Sequence, residues 1–247
     1  MSRDLILVTG GSSDIGLALI RRLAGCSRAP VILAHCNSSM ARVESLVASV
    51  GYDAIHPVQG DFCSVDAVNQ MAQDIIARFG TPSHLVHLAG AKLVYERFAK
   101  FNWNHFETDF QIQVRAAGLL LKTFLPAMSK MTSAQVVFML SSVTRCAPPK
   151  FMTMYTIVKF AQLGMMRSLA SEYAGSPVSF NAVSPGMVET RFLDNIPDFV
   201  KEASAAASPK RRNAAISEVV DVIEFLLSPQ AAHLTGVEIP VTGGAVL

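Results

Sequence analysis

The sequence predicts an α/β fold in which seven mainly parallel strands form a single doubly wound domain. Short apolar strand signals alternate with helical patterns along the chain, which is typical of β-α-β units with right-handed connections. The strands read as continuous apolar runs, such as residues 31–34, and this favours a sheet covered by helices on both faces. No linker separates two units, so residues 1–247 are predicted to form one domain.

The predicted elements follow one another in the order that such a sheet requires. Strand signals lie at 5–9, 31–35, 54–58, 84–88, 135–141, 178–183 and 237–241. Helical patterns lie between them, at 15–24, 40–50, 65–79, 104–128, 151–174 and 216–228. Segment 191–214 fits neither pattern well, because Pro197 and Pro209 interrupt it.

The composition excludes several classes of protein. A net charge of +2 implies no strong field for nucleic acid. Hydrophobic residues make up 51% and charged residues 16%, which allows a large core and apolar surface between subunits. No apolar run of about 18 residues predicts a membrane span, and no secretion leader is recognisable. Four cysteines without C-x-x-C spacing indicate reduced thiols, so a cytoplasmic protein is expected.

A glycine-rich turn follows the first strand signal. Residues 9–16 read T-G-G-S-S-D-I-G, and a helical pattern begins directly after them. Strand, glycine-rich turn and helix form the context of a dinucleotide phosphate loop. Glycines let the backbone approach a pyrophosphate, and the amino terminus of a helix offers free N–H groups. We therefore expect a dinucleotide to bind at the first turn of the chain.

Tyr155 and Lys159 are four residues apart, which places them on one face of a helix. An ammonium beside a phenol favours the phenolate, so the pair predicts a tyrosine whose lowered pKa suits proton exchange near neutral pH. Ser142 follows the apolar run 136–140, at the end of a strand where open α/β sheets bind ligands. Taken alone, the tyrosine–lysine pair is also consistent with an ordinary surface helix.

In this order, the motifs resemble those of the short-chain dehydrogenase/reductase family, and in particular its 3-oxoacyl-carrier-protein reductases. That family has T-G-x-x-x-G-x-G at the start, then a serine, then Y-x-x-x-K, and the likeness covers essentially the whole chain. Further segments that resemble the family in register are 61–62, 87–90, 181–190 and 234–244. The resemblance implies a Rossmann domain that transfers hydride between a nicotinamide dinucleotide and a carbonyl or alcohol.

The resemblance also implies roles for individual residues. Tyr155 would give a proton to the carbonyl oxygen, Ser142 would hold that oxygen, and Lys159 would bind the nicotinamide ribose and lower the pKa of Tyr155. Gln113 stands where the family has an asparagine that holds a relay water; the alternative is a buried amide that supports a helix kink. The residues expected to bind the cofactor are Gly10, Ser12, Ser13, Asp14, Ile15, Gly16, His35, Asn37, Ser38, Asp61, Phe62, Ala89, Gly90, Tyr155, Lys159, Pro185, Gly186, Val188 and Thr190.

Two further motifs depart from the family pattern. Asp14 replaces the middle glycine of the turn. Because a carboxylate would repel a pyrophosphate, we expect its side chain to turn away and cap backbone N–H groups. His87 and Leu88 replace paired asparagines, and we interpret His87 as a structural residue rather than a catalyst. No Cys/His spacing predicts a metal site.

The segment after the second strand favours NADP(H) over NAD(H). It contains no acid that would bind the adenosine ribose hydroxyls and repel a 2′-phosphate. Asn37 and Ser38 can donate to a phosphate, and His35 and Arg42 are expected to add positive charge. One position argues against this preference, since Ser13 stands where NADPH-dependent relatives often have arginine.

The resemblance implies a carbonyl substrate that is a small molecule or is linked to a carrier protein. A 3-oxoacyl thioester and another hydrophobic ketone both stay open, because Ser133 and Ser176 stand where carrier-protein reductases place docking arginines. Segment 191–214 corresponds to the family's substrate lid, with a surface helical hairpin as the alternative. The predicted helices 104–128 and 151–174 correspond to its subunit interface, so a homodimer or homotetramer is expected.

Two other functions remain open on the sequence alone. The first is the reverse reaction, in which an NAD-dependent alcohol or sugar dehydrogenase oxidises its substrate. The second is a non-catalytic dinucleotide-binding sensor. The departures at Asp14 and Gln113 are compatible with such a protein. A sensor, however, has no need of Tyr155 as an acid.

Overall fold

A computed structural model of the protein describes residues 3–246, and within this range seven strands form one sheet. The strands are Leu5–Thr9 (β1), Val31–Cys36 (β2), Ile55–Gln59 (β3), His84–His87 (β4), Ala134–Met139 (β5), Val178–Pro185 (β6) and Glu238–Val241 (β7). Their order is β3-β2-β1-β4-β5-β6-β7, and each neighbouring pair is parallel. The predicted doubly wound α/β fold is confirmed, and the strand ends lie within about two residues of the predicted ones.

The chain changes its direction across the sheet between β1 and β4. From β1 it proceeds to β2 and β3 on one side, then returns to β4 on the other side and continues to β7. The carboxyl ends of β1 and β4 pair Thr9 with His87. Ligands of open α/β sheets bind in the crevice at such a switch point. The topology therefore places a binding crevice beside the glycine-rich turn.

Helices cover both faces of the sheet. They are Asp14–Ala24 (α1), Met40–Val50 (α2), Val65–Phe79 (α3), Trp103–Phe110 (α4), Ala116–Met128 (α5), Thr153–Glu172 (α6), Asp198–Ala207 (α7) and Ile216–Leu227 (α8). Side chains of α3, α5 and α6 pack on one face, where Phe124, Phe138 and Phe180 are fully buried. Side chains of α1, α2 and α8 pack on the other. Each buried phenylalanine stabilises this packing by roughly 1.5–3 kcal/mol. Within residues 3–246, none of the helices combines the length and apolar character needed to cross a membrane.

The long helix predicted over 104–128 is interrupted near its middle. A π-helical turn spans Gln111–Arg115 between α4 and α5, and there the N–H of Ala116 donates to the carbonyl of Gln111, five residues back. The side chain of Gln113 lies in this turn and is buried. This agrees with the alternative in which a buried amide of Gln113 supports a helix kink, and the residues that flank the turn keep ordinary helical dihedral angles. Single π-helical turns are frequent at functional sites.

Segment 191–214 is more regular than its sequence suggests. It contains a 3-10 turn at Arg191–Leu193 and the helix α7. Pro197 stands at the amino-terminal cap of α7, so it does not interrupt the helix. Ile196 belongs to a small hydrophobic cluster that also contacts Tyr155. This part of the segment therefore packs directly against the predicted catalytic residue.

Candidate active site

A cavity of about 600 Å³ opens at the carboxyl edge of the sheet, at the switch point. Its wall is built from the β1–α1 turn, the segments that follow β2 to β6, and the start of α6. The predicted residues on this wall are Gly10, Ser12, Ser13, Asp14, Ile15, His35, Asn37, Ser38, Asp61, Phe62, Ala89, Gly90, Gln113, Ser142, Tyr155, Lys159, Pro185, Gly186, Val188 and Thr190. Gly16 lies behind the wall. The structure thus brings the predicted cofactor and catalytic residues together in one cavity.

The β1–α1 turn requires glycine at two positions. Gly10 has a left-handed backbone (φ 66°), and a Cβ atom there would lie 2.8 Å from the backbone nitrogen of Ala89. A Cβ atom on Gly16 would lie 2.5 Å from the carbonyl oxygen of Gly10. Gly16 therefore acts by letting α1 pack closely against the turn rather than by touching the cavity.

The turn fits the phosphates of a dinucleotide. The hydroxyl of Ser13 caps α1 by accepting the N–H of Gly16 (3.0 Å). The backbone N–H groups of Asp14 and Ile15, in the same first turn, find no acceptor among residues 3–246. Free N–H groups at the amino terminus of a helix, next to a turn without bulky side chains, favour a bound anion.

Asp14 follows the prediction only in part. It does not cap α1, because Ser13 already does so. Its carboxylate instead forms ion pairs with Arg42 (2.9 Å) and Arg191 (3.3 Å) and accepts the backbone N–H of Arg191 (2.8 Å). The carboxylate therefore accepts a backbone N–H as predicted, but that of Arg191 rather than one in α1. The side chain reaches two cations that the local sequence did not connect with it.

His35 adds no positive charge to the cofactor site, so that part of the prediction is wrong. Its ring is buried and stacks on Phe62, with 3.9 Å between the ring centres. Nδ1 accepts the N–H of Gly10 (3.3 Å), and Nε2 donates to the carbonyl of Gly60 (3.0 Å). Burial lowers the pKa of His35 to about 4, so the ring is neutral near pH 7 and supports the glycine-rich turn from below.

His87 is fully buried at the end of β4. The hydroxyl of Thr9 accepts the N–H groups of Leu88 (3.2 Å) and Ala89 (3.3 Å), so its own proton is free for Nδ1 of His87 at 2.9 Å. Burial, and then the charge of Lys159, lower the pKa of His87 to about 3. A neutral histidine that joins two strands fits the structural role predicted for it. No group of three His, Cys, Asp or Glu side chains within residues 3–246 is arranged to hold a metal ion.

Lys159 is buried and bonded to three acceptors. Its Nζ donates to Oε1 of Gln113 (2.5 Å), to the carbonyl of Met139 (2.7 Å) and to Oε1 of Gln162 (3.1 Å). Burial lowers the pKa of Lys159 to about 8, while Asp109 partly opposes the shift. The ammonium is therefore close to its titration point at neutral pH.

Tyr155 lies in the first turn of α6, with the Nζ atom of Lys159 5.6 Å from its ring centre. Burial raises the pKa of Tyr155, whereas the hydroxyl of Ser141 lowers it by hydrogen bonding. The expectation that Lys159 lowers this pKa is not met, because its ammonium is directed at other acceptors. Ser141 and Ser142 both line the cavity together with Tyr155.

Asp109 completes the network around Lys159. Its Oδ1 accepts from Nε2 of Gln113 (2.6 Å) and from the N–H of Ala91 (3.1 Å). Because Nε2 of Gln113 faces this carboxylate, its Oε1 is directed at Lys159. Burial raises the pKa of Asp109. Asp109 thus fixes the orientation of the amide that holds the lysine.

Comparison with known proteins assigns the chain to a family. A family model described as "Enoyl-(Acyl carrier protein) reductase" matches residues 10–246. The chain belongs to the short-chain dehydrogenase/reductase family. The oxidoreductase UcpA of Salmonella typhimurium is 30% identical to this dehydrogenase/reductase over 254 residues, which cover 98% of this chain and 94% of the relative. An acetoacetyl-CoA reductase of Allochromatium vinosum is 28% identical over 246 residues, with 97% of each chain covered.

A solved structure agrees with this family assignment at the level of the fold. The crystal structure of a 3-ketoacyl-(acyl-carrier-protein) reductase from Brucella melitensis, complexed with NADH, has a TM-score of 0.89 against this dehydrogenase/reductase. The two chains are 21% identical, and the alignment covers 100% of this chain and 99% of the other. The predicted family and Rossmann fold are confirmed, and the protein is an oxidoreductase of a family that binds nicotinamide dinucleotides.

Sequence reasoning missed several residues of this dehydrogenase/reductase site. Asp109 lies four residues before Gln113, and Gln162 lies three residues after Lys159; both spacings place side chains on one helix face. These spacings are visible in the sequence, but they occur often by chance and do not mark a functional site. Glu238, at the start of β7, is buried and accepts from Ser184 (2.7 Å) and from Thr144, which lies in the 3-10 turn Ser142–Thr144. No local pattern marks Glu238, because its partners come from other parts of the chain.

Proposed function

We propose that this protein is an NADP(H)-dependent ketoreductase that reduces a 3-oxoacyl thioester or another hydrophobic ketone to an alcohol, with Tyr155 as proton donor. One observation carries the proposal: Tyr155 and Lys159 line the same cavity as the glycine-rich turn. A dinucleotide whose phosphates lie at that turn and a carbonyl beside Tyr155 would share one enclosed space. Hydride transfer requires this proximity.

Tyr155 holds the proton that the reduction requires. Burial keeps the phenol protonated in the absence of a substrate. When bound, the nicotinamide supplies the hydride. As negative charge develops on the carbonyl oxygen, the phenol of Tyr155 gives its proton, and the hydroxyls of Ser141 and Ser142 hold that oxygen in place.

We assign to Lys159 the role of restoring the proton. A group with a pKa of about 8 gives up and regains a proton readily near neutral pH. Gln113 contacts the ammonium directly, in the position where the family's asparagine holds a water. An amide oxygen is weakly basic, so we assign Gln113 to positioning the lysine rather than to carrying the proton.

The preference for NADP(H) rests on the segment after β2. Asn37 and Ser38 line the cavity, and no acidic side chain follows β2 before α2. A 2′-phosphate meets donors there and no carboxylate from that segment. Since His35 is neutral, the positive charge must come from arginine rather than from histidine.

An apolar wall beside Tyr155 supports a hydrophobic substrate. Leu93, Met152, Met187 and Leu193 line the cavity at this end. Flexible thioethers adapt to acyl or ring-shaped ketones of different size. The relative named acetoacetyl-CoA reductase is consistent with a short 3-oxoacyl thioester as one member of this class.

The proposal is tested with a panel of carbonyl compounds and of alcohols, with each cofactor in turn. Acetoacetyl-CoA, a diketone, a quinone and a sugar are mixed with NADPH or NADH, and the loss of nicotinamide absorbance is measured. We expect turnover of at least one ketone with NADPH, faster than with NADH. Oxidation of a polyol with NAD⁺ as the fastest reaction would instead show a sugar dehydrogenase. Binding of NADPH without turnover of any substrate would favour the sensor.

We also propose that the protein forms a homodimer or homotetramer through α4 and α6. These two helices contact each other, and their surface exposes the large apolar side chains of Trp103, Ile157 and Phe160. Each of the three is between 44% and 58% exposed. Light scattering of the wild type and of Phe160→Glu tests this: we expect an oligomer that the charged variant dissociates.

A further inference from the structure

Three charged side chains from distant parts of the chain meet beside the glycine-rich turn. Asp14 and Arg191 line the cavity, and Arg42 pairs with Asp14 without lining it. Oδ1 of Asp14 accepts from Nη2 of Arg42 (2.9 Å) and from Nε of Arg191 (3.3 Å). Oδ2 of Asp14 accepts the backbone N–H of Arg191 (2.8 Å). The carbonyl of Ser12 accepts from Nη1 of Arg42 and from Nη2 of Arg191 (3.3 Å). Two guanidinium groups are thereby held side by side against the glycine-rich turn.

This arrangement leaves donors and charge available to a ligand. A guanidinium has five N–H donors, and within residues 3–246 each arginine uses two of its side-chain atoms toward Asp14 and Ser12. The side chain of Arg191 is 53% exposed and that of Arg42 is 32% exposed, whereas that of Asp14 is 19% exposed. Two arginines and one aspartate carry a net charge of +1. The cluster therefore attracts an anion in spite of its carboxylate.

We propose that Arg42 and Arg191 bind the phosphates of the dinucleotide and that Asp14 is the positioning residue that holds both. The inference rests on the proposed function, because it requires a dinucleotide in this cavity. Arg191 lines the cavity next to Thr190, so we assign it to the pyrophosphate. Arg42 lies in the first turn of α2, just after Asn37 and Ser38, so we assign it to the adenosine 2′-phosphate.

The assignment accounts for the aspartate in the glycine-rich turn. A lone carboxylate there would repel a pyrophosphate. The two guanidinium groups neutralise the charge of the Asp14 carboxylate, and the carboxylate in turn orients their N–H donors. Asp14 also ties the first residue of segment 191–214 to the turn, so the same contact joins the two sides of the cavity mouth.

The first test is equilibrium binding, followed by the fluorescence of NADPH and of NADH. We expect Arg191→Ala to weaken the binding of both nucleotides by roughly tenfold or more, the usual effect of losing a charged hydrogen bond. We expect Arg42→Ala to weaken NADPH by a similar factor and NADH by much less. The matched control is Arg22→Ala, which removes an arginine of α1 that pairs with Asp221 and Glu224 away from the cavity. It should change neither affinity.

The second test is a double-mutant cycle on Asp14. In the wild type, Asp14→Asn should weaken NADPH binding, because both arginines lose their anchor. In a chain that carries Arg42→Ala and Arg191→Ala, the same substitution should tighten NADPH binding, because only repulsion between carboxylate and phosphate is left to remove. The effect of Asp14→Asn on NADPH affinity thus has opposite signs in the two backgrounds. This would distinguish a residue that positions the arginines from one that only repels the phosphate. Tighter binding in both backgrounds would overturn the role given to Asp14.

The outcomes separate this inference from the proposed function. If the wild type binds neither nucleotide, the proposed function fails. If the wild type binds NADPH and both arginine variants bind it as tightly as Arg22→Ala does, the inference is overturned while the proposed function stands. Should an alanine variant fail to fold, as judged by circular dichroism, Arg191→Gln and Arg42→Gln take its place with the same expected weakening.

Discussion

The charged side chains at the two ends of the cavity differ in their exposure to solvent. At the phosphate end, Asp14, Arg42 and Arg191 are paired with one another and partly exposed to solvent. At the catalytic end, Lys159 and Asp109 are withdrawn from solvent and joined through Gln113. Solvent and salt screen the first group far more than the second. Changes at the phosphate end should therefore alter nucleotide affinity and its salt dependence, whereas changes at the catalytic end should alter protonation and turnover.

The sharpest way to break the phosphate end is to add one methyl group. Gly16→Ala would place a Cβ atom 2.5 Å from the carbonyl of Gly10 and 2.9 Å from Cα of Gly11. Because both neighbours are backbone, we expect loss of nucleotide binding and a free energy of unfolding lower by about 3 kcal/mol. Nucleotide titration and urea unfolding measure the two effects.

The control for this prediction lies at the other end of the same helix. A Cβ atom on Gly25 meets its nearest neighbour, the carbonyl of Arg22, at 3.5 Å, which is an ordinary contact. Gly25→Ala should change the free energy of unfolding by less than about 1 kcal/mol and leave binding intact. Equal effects of the two substitutions would contradict the close packing described for Gly16.

The next prediction concerns the neutral histidine beneath the phosphate end. The folded-state pKa of His35 is lowered to about 4, while the unfolded chain titrates near 6.5. Below pH 6.5 the unfolded state therefore binds a proton that the folded state does not, and stability falls as the pH falls toward 4. The loss attributable to His35 is up to about 3 kcal/mol.

Urea unfolding at pH 7 and pH 4.5 checks this prediction. We expect His35→Gln to lose less stability between the two pH values than the control His233→Gln, which alters an exposed histidine. His87, which is also buried and neutral, keeps part of the acid sensitivity in both variants. If both variants showed the same pH dependence, the buried neutral state assigned to His35 would be wrong.

A smaller effect is expected at the catalytic end from Asp109→Asn. This variant keeps a hydrogen-bonding group but removes the charge that raises the pKa of Lys159. We expect turnover to fall by roughly tenfold and the alkaline limb of its pH profile to move to lower pH than in the wild type. Measured kcat between pH 6 and pH 10 gives both quantities.

The matched control at the catalytic end is Asp198→Asn, because Asp198 is an exposed carboxylate on α7. It should change neither the rate nor the pH profile. A reduced rate of Asp109→Asn with an unmoved pH limb would show that Asp109 is only structural. Nucleotide affinity should stay unchanged in both variants, since neither touches the phosphate end.

The sheet and the cavity wall could be predicted because their signals are local. Each strand is a short apolar run, and most wall residues directly follow a strand or belong to a short motif. Parallel strands bring such residues to one edge without further information. Gly16 is the exception among the predicted cofactor residues, because its lack of a side chain serves packing rather than contact.

The electrostatics of the site could not be predicted in the same way. Arg191 pairs with Asp14 across 177 residues, and no local pattern connects them. Lys159 was expected to act on Tyr155, but three acceptors from β5, α6 and the π-helical turn hold its ammonium. The direction of a pKa shift depends on burial and on such distant partners, which only the folded chain defines.

The most direct test of the proposed chemistry is a paired measurement on Tyr155→Phe: kcat with the best ketone of the panel, and the dissociation constant for NADPH. The variant removes the phenol oxygen and leaves the ring in its hydrophobic cluster. We predict a kcat roughly 10²- to 10⁴-fold lower than that of the wild type, with NADPH binding retained. A variant that binds NADPH and reduces the ketone at the wild-type rate would contradict the role of Tyr155 as proton donor.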